Sequence, residues 1–482
     1  MSQSVAKSYD AVVIGSGPNG LAAAVTMARA GRSVLVIEAA PTIGGGTRSL
    51  ELTLPGFVHD VCSAVHPLGI GSPVFRAWHL QEHGLEWIQP PTPLAHPLDD
   101  GSAAMLQRSV AETSQGLGCD ARAYQHFMEP LIADFDKIVA DMLGPPRIPR
   151  HPLVDLRFAW WALRSARCLA QSLFASEPAR VLFAGLAAHS FLPMERPPSA
   201  AIGIVLAAAG HAVGWPVPRG GSQRIADALA SYLRLLGGQI VTGWRVESLG
   251  ELPGAKTILC DVSPRELLRI AGPKLGGRYR RALSRFRYGP AAFKIDWALG
   301  GPIPWTAPGC RQAGTVHVGG TFGEIAHAER AIWRGQPPER PFVLVAQPGI
   351  FDSSRAPPGK QTAWAYAHVP HRSTFDMTER IESQIERFAP GFRDLILARS
   401  VLSPALLERH NSNLVGGSIT GGIPDLYQTL ARPALRLNPY RTPIKGVYLC
   451  SASTPPGAGV HGLCGYFAAS TAISSDQARR SN

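Results

Sequence analysis

Three glycines near the start of the chain have the spacing of a dinucleotide-binding turn. Gly15, Gly17 and Gly20 form G-x-G-x-x-G between the apolar run Ala11 to Ile14 and the helix-forming stretch Leu21 to Arg29. In such a turn the first glycine permits the tight bend, and the second lets a pyrophosphate approach the backbone. The third lets helix and strand pack closely. The free N–H groups at the helix start can then bind phosphate.

An acidic residue and a second glycine-rich turn follow at the expected distance. A second apolar run, Val34 to Ile37, ends in Glu38, which lies 18 residues after Gly20 and can accept hydrogen bonds from a ribose diol. The segment Ile43 to Arg48 reads Ile-Gly-Gly-Gly-Thr-Arg and comes too soon after the strand to start another domain. Strand, turn, helix, strand and acid together predict a βαβ nucleotide site.

A third segment with glycine-rich chemistry lies near the carboxyl end. Val447 to Cys450 is an apolar run that leads through a Pro/Gly loop into a helix of small residues, from about Gly462 to Thr471. The start of that helix can place N–H groups and its positive dipole end near a site of developing negative charge. We expect Gly459 and Val460 to supply part of this helix start.

Together with the middle segment GWPVPRGGSQRIADALASYLRLLGGQIVTGWRVESL, these motifs resemble the phytoene desaturase-like branch of the FAD-dependent amine oxidase superfamily. The similarity is greatest to its phytoene dehydrogenase-related group, which includes a mitochondrial protein with a pyridine nucleotide-disulphide oxidoreductase domain. The resemblance implies non-covalent FAD and places the adenine against the backbone of Val246. The predicted cofactor residues are Gly15, Gly17, Pro18, Asn19, Gly20, Glu38, Ala39, Gly45, Gly46, Thr47, Arg48, Val246, Ser453, Gly459, Val460 and His461.

The resemblance also implies an α/β architecture in which a glutathione-reductase-like FAD-binding Rossmann domain is discontinuous and carries an inserted α+β substrate domain. Residues 1–70, 215–275 and 430–482 are predicted to form the FAD domain, and residues 71–214 and 276–429 the substrate domain. The inserted segments lack nucleotide motifs and mix helical stretches with alternating strands such as Phe293 to Trp297. The apolar stretch Ala200 to Gly210 predicts a buried helix, being too short to cross a bilayer.

G-x-G-x-x-G occurs at Gly15 to Gly20 and again at Gly457 to Gly462, but only the first string is followed by a helix, a second apolar strand and an acid. A disulphide reductase with a second nucleotide domain is therefore not expected. We predict hydride transfer between the flavin and a C–H (or C=C) of an apolar or isoprenoid-like small-molecule substrate, with oxygen or a quinone as electron acceptor. The candidate catalytic residues are His461, at the presumed helix start, and His66, in the loop that returns from the FAD domain. Each has the alternative of a purely structural histidine.

Two other functions stay open at this stage. An amine or alcohol oxidase of the same fold would be favoured by a short, polar pocket. A non-catalytic binding or escort protein could use the same fold without flavin, although the intact Glu38 and both glycine-rich segments argue against it.

Two shorter patterns suggest metal or membrane binding. His79 to His83 fits H-x-x-E-H, a zinc-binding string when both histidines share a helix face, but nothing else supports a metalloprotease and we predict no metal. Arg278 to Arg287 holds five arginines with Tyr279, Phe286 and Tyr288, and could contact an anionic membrane peripherally or form a solvated helix face.

Composition limits the remaining classes of protein. With 482 residues, 45% hydrophobic and 17% charged, the chain can bury large cores, which excludes a disordered or coiled-coil protein. The net charge of +12 suits nucleic acid, yet no nucleic-acid-binding motif accompanies it, and no such partner is expected. Seven scattered cysteines without a C-x-x-C pair, and no secretory signal, predict a reducing, cytoplasmic location.

Overall fold

The computed structural model describes the backbone of residues 6–480 and the side chains of residues 6–478. Its strands are β1 (Ser8–Ile14), β2 (Val34–Ile37), β3 (Ser49–Glu51), β4 (Val58–Asp60), β5 (Trp87–Ile88), β6 (Thr92–Pro97), β7 (Ala103–Leu106), β8 (Val217–Pro218), β9 (Gln239–Val241), β10 (Gly254–Cys260), β11 (Ala291–Leu299), β12 (Ala313–Val318), β13 (Val343–Ala346), β14 (Gln361–Val369), β15 (Ile396–Leu402) and β16 (Val447–Leu449).

The α-helices alternate with these strands in the parallel part of the chain and cluster between β7 and β8. They are α1 (Pro18–Arg29), α2 (Pro67–Ile70), α3 (Pro73–Ala77), α4 (Val110–Gly116), α5 (Ala121–Ala133), α6 (Phe135–Met142), α7 (Pro152–Ala162), α8 (Ala166–Leu173), α9 (Glu177–Ala188), α10 (Ala200–Ala212), α11 (Gln223–Leu235), α12 (Pro264–Ala271), α13 (Gly277–Ser284), α14 (Phe322–Trp333), α15 (Thr378–Phe388), α16 (Pro404–His410), α17 (Leu426–Leu430) and α18 (Leu463–Arg480).

A five-stranded parallel sheet, in the order β16-β10-β1-β2-β9, carries the N-terminal motif. β1 and β2 pair in register from Ala11 opposite Val34 to Ile14 opposite Ile37, so both strands end at the same edge. The chain moves outward from β1 to β2 and β9, then crosses to β10 on the other side of β1. Ligands of open α/β sheets bind at such a switch point, outside the carboxyl ends of the strands.

Helix α1 is buried on nearly all sides because its residues are small and apolar. It lies between the parallel sheet, α11 and the C-terminal helix α18. Gly465 on α18 makes this contact so close that an added Cβ would lie 1.8 Å from the carbonyl oxygen of Asn19. The N-terminal motif is therefore held in place by the last helix of the chain.

A seven-stranded sheet, in the order β15-β11-β14-β13-β12-β6-β7, forms the second layer of the molecule. Its neighbours are antiparallel except for the pair of β6 and β12. Strand β11 is buried along all nine residues, which is typical of a central strand covered on both faces. Helix α10 confirms the predicted buried helix and packs on α9.

The strands of the parallel sheet all fall in the segments predicted as the FAD domain, and those of the seven-stranded sheet in the segments predicted as the substrate domain. The division into domains stays a prediction. β9 ends at Val241, so Val246 lies in the irregular segment beyond the strand. Within residues 6–480, no helix is long and apolar enough to cross a membrane.

The H-x-x-E-H string does not form the expected helix face. His79 has a positive φ of 47°, and Leu80–His83 form a single 3-10 turn. The ring of His83 stacks on Tyr232 with their centroids 4.4 Å apart. The helical interpretation of this string is thus wrong, and the described residues hold no group of three or more His, Cys, Asp or Glu side chains arranged for a metal ion.

Candidate active site

One cavity of about 940 Å³ connects the edge of the parallel sheet with the seven-stranded sheet. It is lined by most of the predicted cofactor residues, and the exceptions are Gly20 and His461. Gly20 is buried in the contact between helix and strand, where an added Cβ would lie 2.1 Å from the carbonyl oxygen of Gly15. This close backbone approach is the role that the spacing predicts for the third glycine.

The glycine turn presents the start of α1 to the cavity. Gly15 has a φ of +96°, and Gly17 is the N-cap, followed by Pro18 at the first helical position. A Cβ on Gly45 of the second glycine-rich turn would lie 3.0 Å from the Cα of Gly17. The two turns are therefore in contact, and the carboxamide Oδ1 of buried Asn19 has no partner among the described residues.

Glu38 accepts more hydrogen bonds than the other acids that line the cavity. Its Oε2 accepts hydrogen bonds from the N–H and the hydroxyl of Ser16, at 2.9 and 2.6 Å. Its Oε1 accepts from the N–H of Ala40 at 2.8 Å and from the guanidinium of Arg48 at 3.1 Å. The carboxylate is thus held in one orientation at the carboxyl end of β2, which is where a ribose would need an acceptor.

The second turn positions Arg48 through its own backbone. Gly44 has a φ of +115° and starts the 3-10 turn Gly45–Thr47. The hydroxyl of Thr47 donates to the carbonyl of Gly44 at 2.8 Å, and Arg48 Nε donates to the carbonyl of Thr42 at 3.1 Å. The turn and Glu38 therefore form one buried unit around the start of α1.

The C-terminal loop contributes Ser453, Gly459 and Val460 to the cavity lining. The hydroxyls of Ser451 and Ser453 are 2.6 Å apart, so one donates to the other. Helix α18 begins only at Leu463, and Gly459 and Val460 lie in the loop before it. The predicted helix start at these residues is shifted by several residues along the chain.

His461 is not among the residues that line the cavity, and its catalytic role stays a prediction. Its ring is fully buried, and Nδ1 accepts a hydrogen bond from the N–H of Leu463, the first residue of α18, at 3.1 Å. Burial lowers the pKa of His461 to about 4, so the ring is neutral near pH 7. The loop motif placed this residue near the helix start, but the ring turns inward to satisfy a helix N–H.

We expect His461→Ala to lower stability without changing the flavin's reduction potential. The substitution removes an acceptor from the start of α18, a loss that costs about 0.5–2 kcal/mol at helix starts. His461→Asn keeps an acceptor oxygen and should recover most of the melting temperature. A shifted potential at an unchanged melting temperature would instead support the catalytic role.

His66 lines the cavity, as its predicted role requires. Its Nε2 lies 2.8 Å from the hydroxyl oxygen of Ser222, and that hydroxyl donates to the carbonyl of Ser63 at 2.7 Å. Because a hydroxyl has one proton, His66 must carry its own proton on Nε2 and donate it to Ser222. Burial lowers the pKa of His66 to about 4, so the residue is a neutral acceptor through Nδ1. A catalytic role for it stays a prediction.

Asp261 is a cavity residue that sequence reasoning missed. It follows β10 directly, and its Oδ2 accepts a hydrogen bond from the N–H of Gly20 at 2.8 Å. A Cβ on Gly17 would lie 2.8 Å from the same oxygen, so the carboxyl group occupies the start of α1. Burial raises the pKa of Asp261 to about 7, and the charge of Glu38 acts in the same direction. The only sequence signal was an acid at the end of an apolar strand.

FAD binding is expected to weaken as the pH rises through about 7. Below that pH Asp261 is neutral, and above it a negative charge faces the two charges of a pyrophosphate at the start of α1. For each unit by which bound FAD raises the pKa of Asp261, the FAD affinity at high pH falls about tenfold relative to the affinity at low pH. Titration of apoprotein with FAD at several pH values measures the effect. Asp261→Asn should show a flat profile, and equal profiles in both proteins would contradict the assignment.

A buried ion pair faces the other half of the cavity and was also missed. Lys294 and Asp296 stand two residues apart on β11, so their side chains share one face, and Lys294 Nζ donates to Asp296 Oδ2. Lys294 lines the cavity, with Nζ 5.5 Å from the ring centroid of Trp364. Burial raises the pKa of Asp296 to about 6 in spite of the neighbouring ammonium group. The alternation Phe-Lys-Ile-Asp-Trp was the available signal.

These residues fit a bound dinucleotide. The glycine turn brings the backbone at the start of α1 to the cavity, and the fixed carboxylate of Glu38 supplies a ribose acceptor. The unpartnered Oδ1 of Asn19 is a further acceptor, which suits a hydroxyl or N–H group of the ligand.

Known proteins were compared with the chain by sequence and by structure. Residues 13–80 match the model of the NAD(P)-binding Rossmann-like domain. The chain is 26% identical to pyridine nucleotide-disulfide oxidoreductase domain-containing protein 2 of Mus musculus, over 96% of the chain and 92% of that protein. It is 25% identical to the neurosporene-forming phytoene desaturase of Rhodobacter capsulatus, over 94% of the chain and 92% of that protein. The resemblance to the phytoene desaturase-like flavoproteins is confirmed.

Solved structures show the same fold over nearly the whole chain. An oxidoreductase from Methanosarcina mazei superposes with a TM-score of 0.65 at 18% identity, covering 96% of this chain and 99% of that one. Wild-type putrescine oxidase bound to putrescine gives a TM-score of 0.61 at 17% identity, covering 98% and 99%. The predicted glutathione-reductase-like α/β fold is thus confirmed. The chain is a flavin-type oxidoreductase, and FAD is the cofactor that its nucleotide site and its relatives indicate.

Proposed function

We propose that the chain transfers a hydride between a C–H (or C=C) of an apolar, isoprenoid-like substrate and FAD, and that the electrons pass to oxygen or a quinone. Bound FAD supplies the hydride acceptor, held non-covalently. The chain orients the substrate carbon, excludes water and balances charge around the cofactor.

The composition of the cavity wall carries this proposal. The wall away from the glycine turns is mainly apolar and aromatic, and includes Val65, Phe191, Leu206, Trp215, Leu344, Trp364 and Tyr366. The acids among the described lining residues are Glu38, Asp261 and Glu266. Glu266 accepts hydrogen bonds from Arg245 and Arg269, and Arg269 also donates to the carbonyl of Val246. Glu266 therefore lies in the half of the cavity that contains the predicted nucleotide site. The substrate half therefore favours a ligand with little charge.

An amine substrate is less compatible with this wall. Lys294 presents its ammonium group beside Trp364, and no carboxylate of the described lining lies in that half to bind a substrate ammonium ion. Opposite charges and hydrogen-bonding groups are what such a ligand requires. We therefore place an amine oxidase second among the functions of this site.

Anaerobic reduction of the holoenzyme tests the proposal. Polyprenyl hydrocarbons and alcohols should bleach the oxidised flavin, while putrescine and cyclohexylamine should not, and air or a quinone should restore the colour. NADH and NADPH should reduce it slowly, since only the G-x-G-x-x-G string at Gly15 to Gly20 carries the strand, helix, strand and acid of a nucleotide-binding unit. Rapid bleaching by an amine or by NADPH would contradict the proposal.

We also propose that the Arg278 to Arg287 region contacts an anionic membrane. Its arginines are exposed, but Tyr279 and Phe286 are buried and cannot insert. The apolar side chains that could contact lipid lie instead on the neighbouring segment 425–437, which packs on the arginine-rich region. Arg287 and Asp425 form an ion pair 2.7 Å apart across this contact, and the guanidinium of Arg436 lies over the ring of Tyr279. The exposed apolar side chains of segment 425–437 are Leu426, Tyr427, Leu430, Leu435 and Leu437. Exposed apolar groups beside cations suit the surface of an anionic bilayer.

Vesicle flotation measures this contact. The holoenzyme should float with phosphatidylserine-containing vesicles and less with purely zwitterionic ones, and Leu430→Glu with Leu437→Glu should abolish flotation. Helix α7 also exposes apolar side chains, among them Leu156 and Trp160, and provides the comparison. If Leu156→Glu abolishes flotation while the variant with Leu430→Glu and Leu437→Glu still floats, the contact lies on α7 and the assignment is contradicted.

A further inference from the structure

Two histidines from distant parts of the chain meet behind the cavity wall. His189 follows the last residue of α9 and lines the cavity, while His317 is fully buried on β12. Their Nε2 atoms are 3.1 Å apart, so one ring donates to the other. The contact to His317 through Nε2 is the hydrogen bond that His189 makes within the described part of the chain.

The surroundings of His317 decide which ring is the donor. His317 Nδ1 has no partner in the described part of the chain and packs against α9 at Gly185, where an added Cβ would lie 2.4 Å from that nitrogen. The Cα–H group of Gly185 therefore points at Nδ1, a contact that suits a lone pair and not an N–H group. His317 carries its proton on Nε2 and donates it to His189. His189 then carries its own proton on Nδ1.

The segment around His189 is held in an unusual conformation. Phe191, two residues later, has a φ of +57° and is buried, and its ring centroid lies 3.8 Å from that of His368. Non-glycine residues with positive φ persist only where the surrounding structure enforces them. Burial, and after it the nearby His368, lowers the pKa of His189 to about 3. The ring is therefore a neutral donor near pH 7, in a wall that also holds Tyr366.

We propose that His189 donates its Nδ1–H to an uncharged oxygen of the substrate, such as a carbonyl or hydroxyl, and that His317 is a positioning residue that fixes this tautomer. The proposal rests on the proposed function and narrows its substrate class from an apolar molecule to an apolar molecule with one acceptor oxygen. A neutral donor in an apolar wall selects such an oxygen because an unpaired donor would be left desolvated by a plain hydrocarbon.

Two isosteric variants separate the donor from a structural contact. The amide nitrogen of asparagine can take the place of Nδ1, whereas the longer glutamine reaches the position of Nε2. The probes are methyl heptyl ketone and nonane, which have the same length, and binding to the holoenzyme is followed by the perturbation of the flavin absorption spectrum. We expect His189→Gln to weaken ketone binding about 3- to 10-fold and to leave nonane binding equal or stronger. His189→Asn should keep the ketone affinity.

A third variant, at His317, does not depend on the folding of either His189 variant. His317→Phe keeps a ring behind the wall but removes the proton donor, and should weaken ketone binding less than His189→Gln, again without weakening nonane binding. Equal losses in the asparagine and glutamine variants, or equal losses for both probes, would overturn the donor role while leaving the apolar cavity in place. Binding of neither probe to the wild type would overturn the apolar cavity, and this proposal with it.

Discussion

Glu38→Arg is expected to abolish stable FAD binding while the parallel sheet remains folded. The carboxylate is buried and accepts from Ser16, Ala40 and Arg48, and an arginine there offers no acceptor and faces the guanidinium of Arg48. Hydrogen bonds to charged groups contribute about 1.5–3 kcal/mol each, so affinity should fall on the order of a hundredfold or more. Dilution followed by measurement of retained FAD gives the result.

Two control variants make this prediction specific. Glu38→Gln keeps one acceptor oxygen and should retain part of the affinity. Glu51→Arg makes the same change of charge at an exposed position on β3 and should bind FAD normally. If Glu38→Arg retains FAD as the wild type does, the ribose does not lie against this carboxylate.

Gly465→Ala is expected to cause the largest loss of stability of any single methyl group added to the chain's helices. The new Cβ would lie 1.8 Å from the carbonyl oxygen of Asn19 and 2.9 Å from the N–H nitrogen of Ala23, both of them backbone atoms of α1. Backbone atoms cannot rotate away, so α18 must move. Overpacking costs about 1–3 kcal/mol and sometimes more, and here we expect the upper end or beyond. Because α1 also presents the phosphate site, FAD affinity should fall with the melting temperature.

Gly116→Ala is the matched control. Gly116 is the last residue of α4, has no heavy atom within 4 Å of an added Cβ and does not adopt a positive φ. Alanine there should leave stability unchanged or raise it by about 0.4–1 kcal/mol. Equal melting temperatures for Gly465→Ala and the wild type would show that the contact between α1 and α18 is looser than described.

The nucleotide site could be predicted because its signals are local. Gly15, Gly17, Gly20 and Glu38 belong to one βαβ unit, and the pattern of glycines and strands determines where their backbone lies. The same motifs could not determine side-chain orientation. His461 was correctly placed beside α18, but whether its ring faced flavin or helix depended on which N–H groups needed an acceptor.

The residues that were missed come together only through the tertiary fold. Asp261 contacts Gly20 across 241 residues of sequence, and His189 contacts His317 across 128. No local period marks such pairs, since each depends on the order of strands in its sheet. Lys294 and Asp296 are the exception, because two charges two residues apart in an apolar strand indicate a polar site inside the core.

The cofactor content of the purified protein tests the central claim most directly. Native protein should be yellow, and acid precipitation should release one FAD per chain into the supernatant, identified by its mass and fluorescence. One FAD per chain, together with refilling of the acid-stripped and refolded apoprotein, is the predicted result. A correctly folded, colourless protein that takes up no FAD would contradict the account, and would favour a binding or escort protein on a flavoprotein fold.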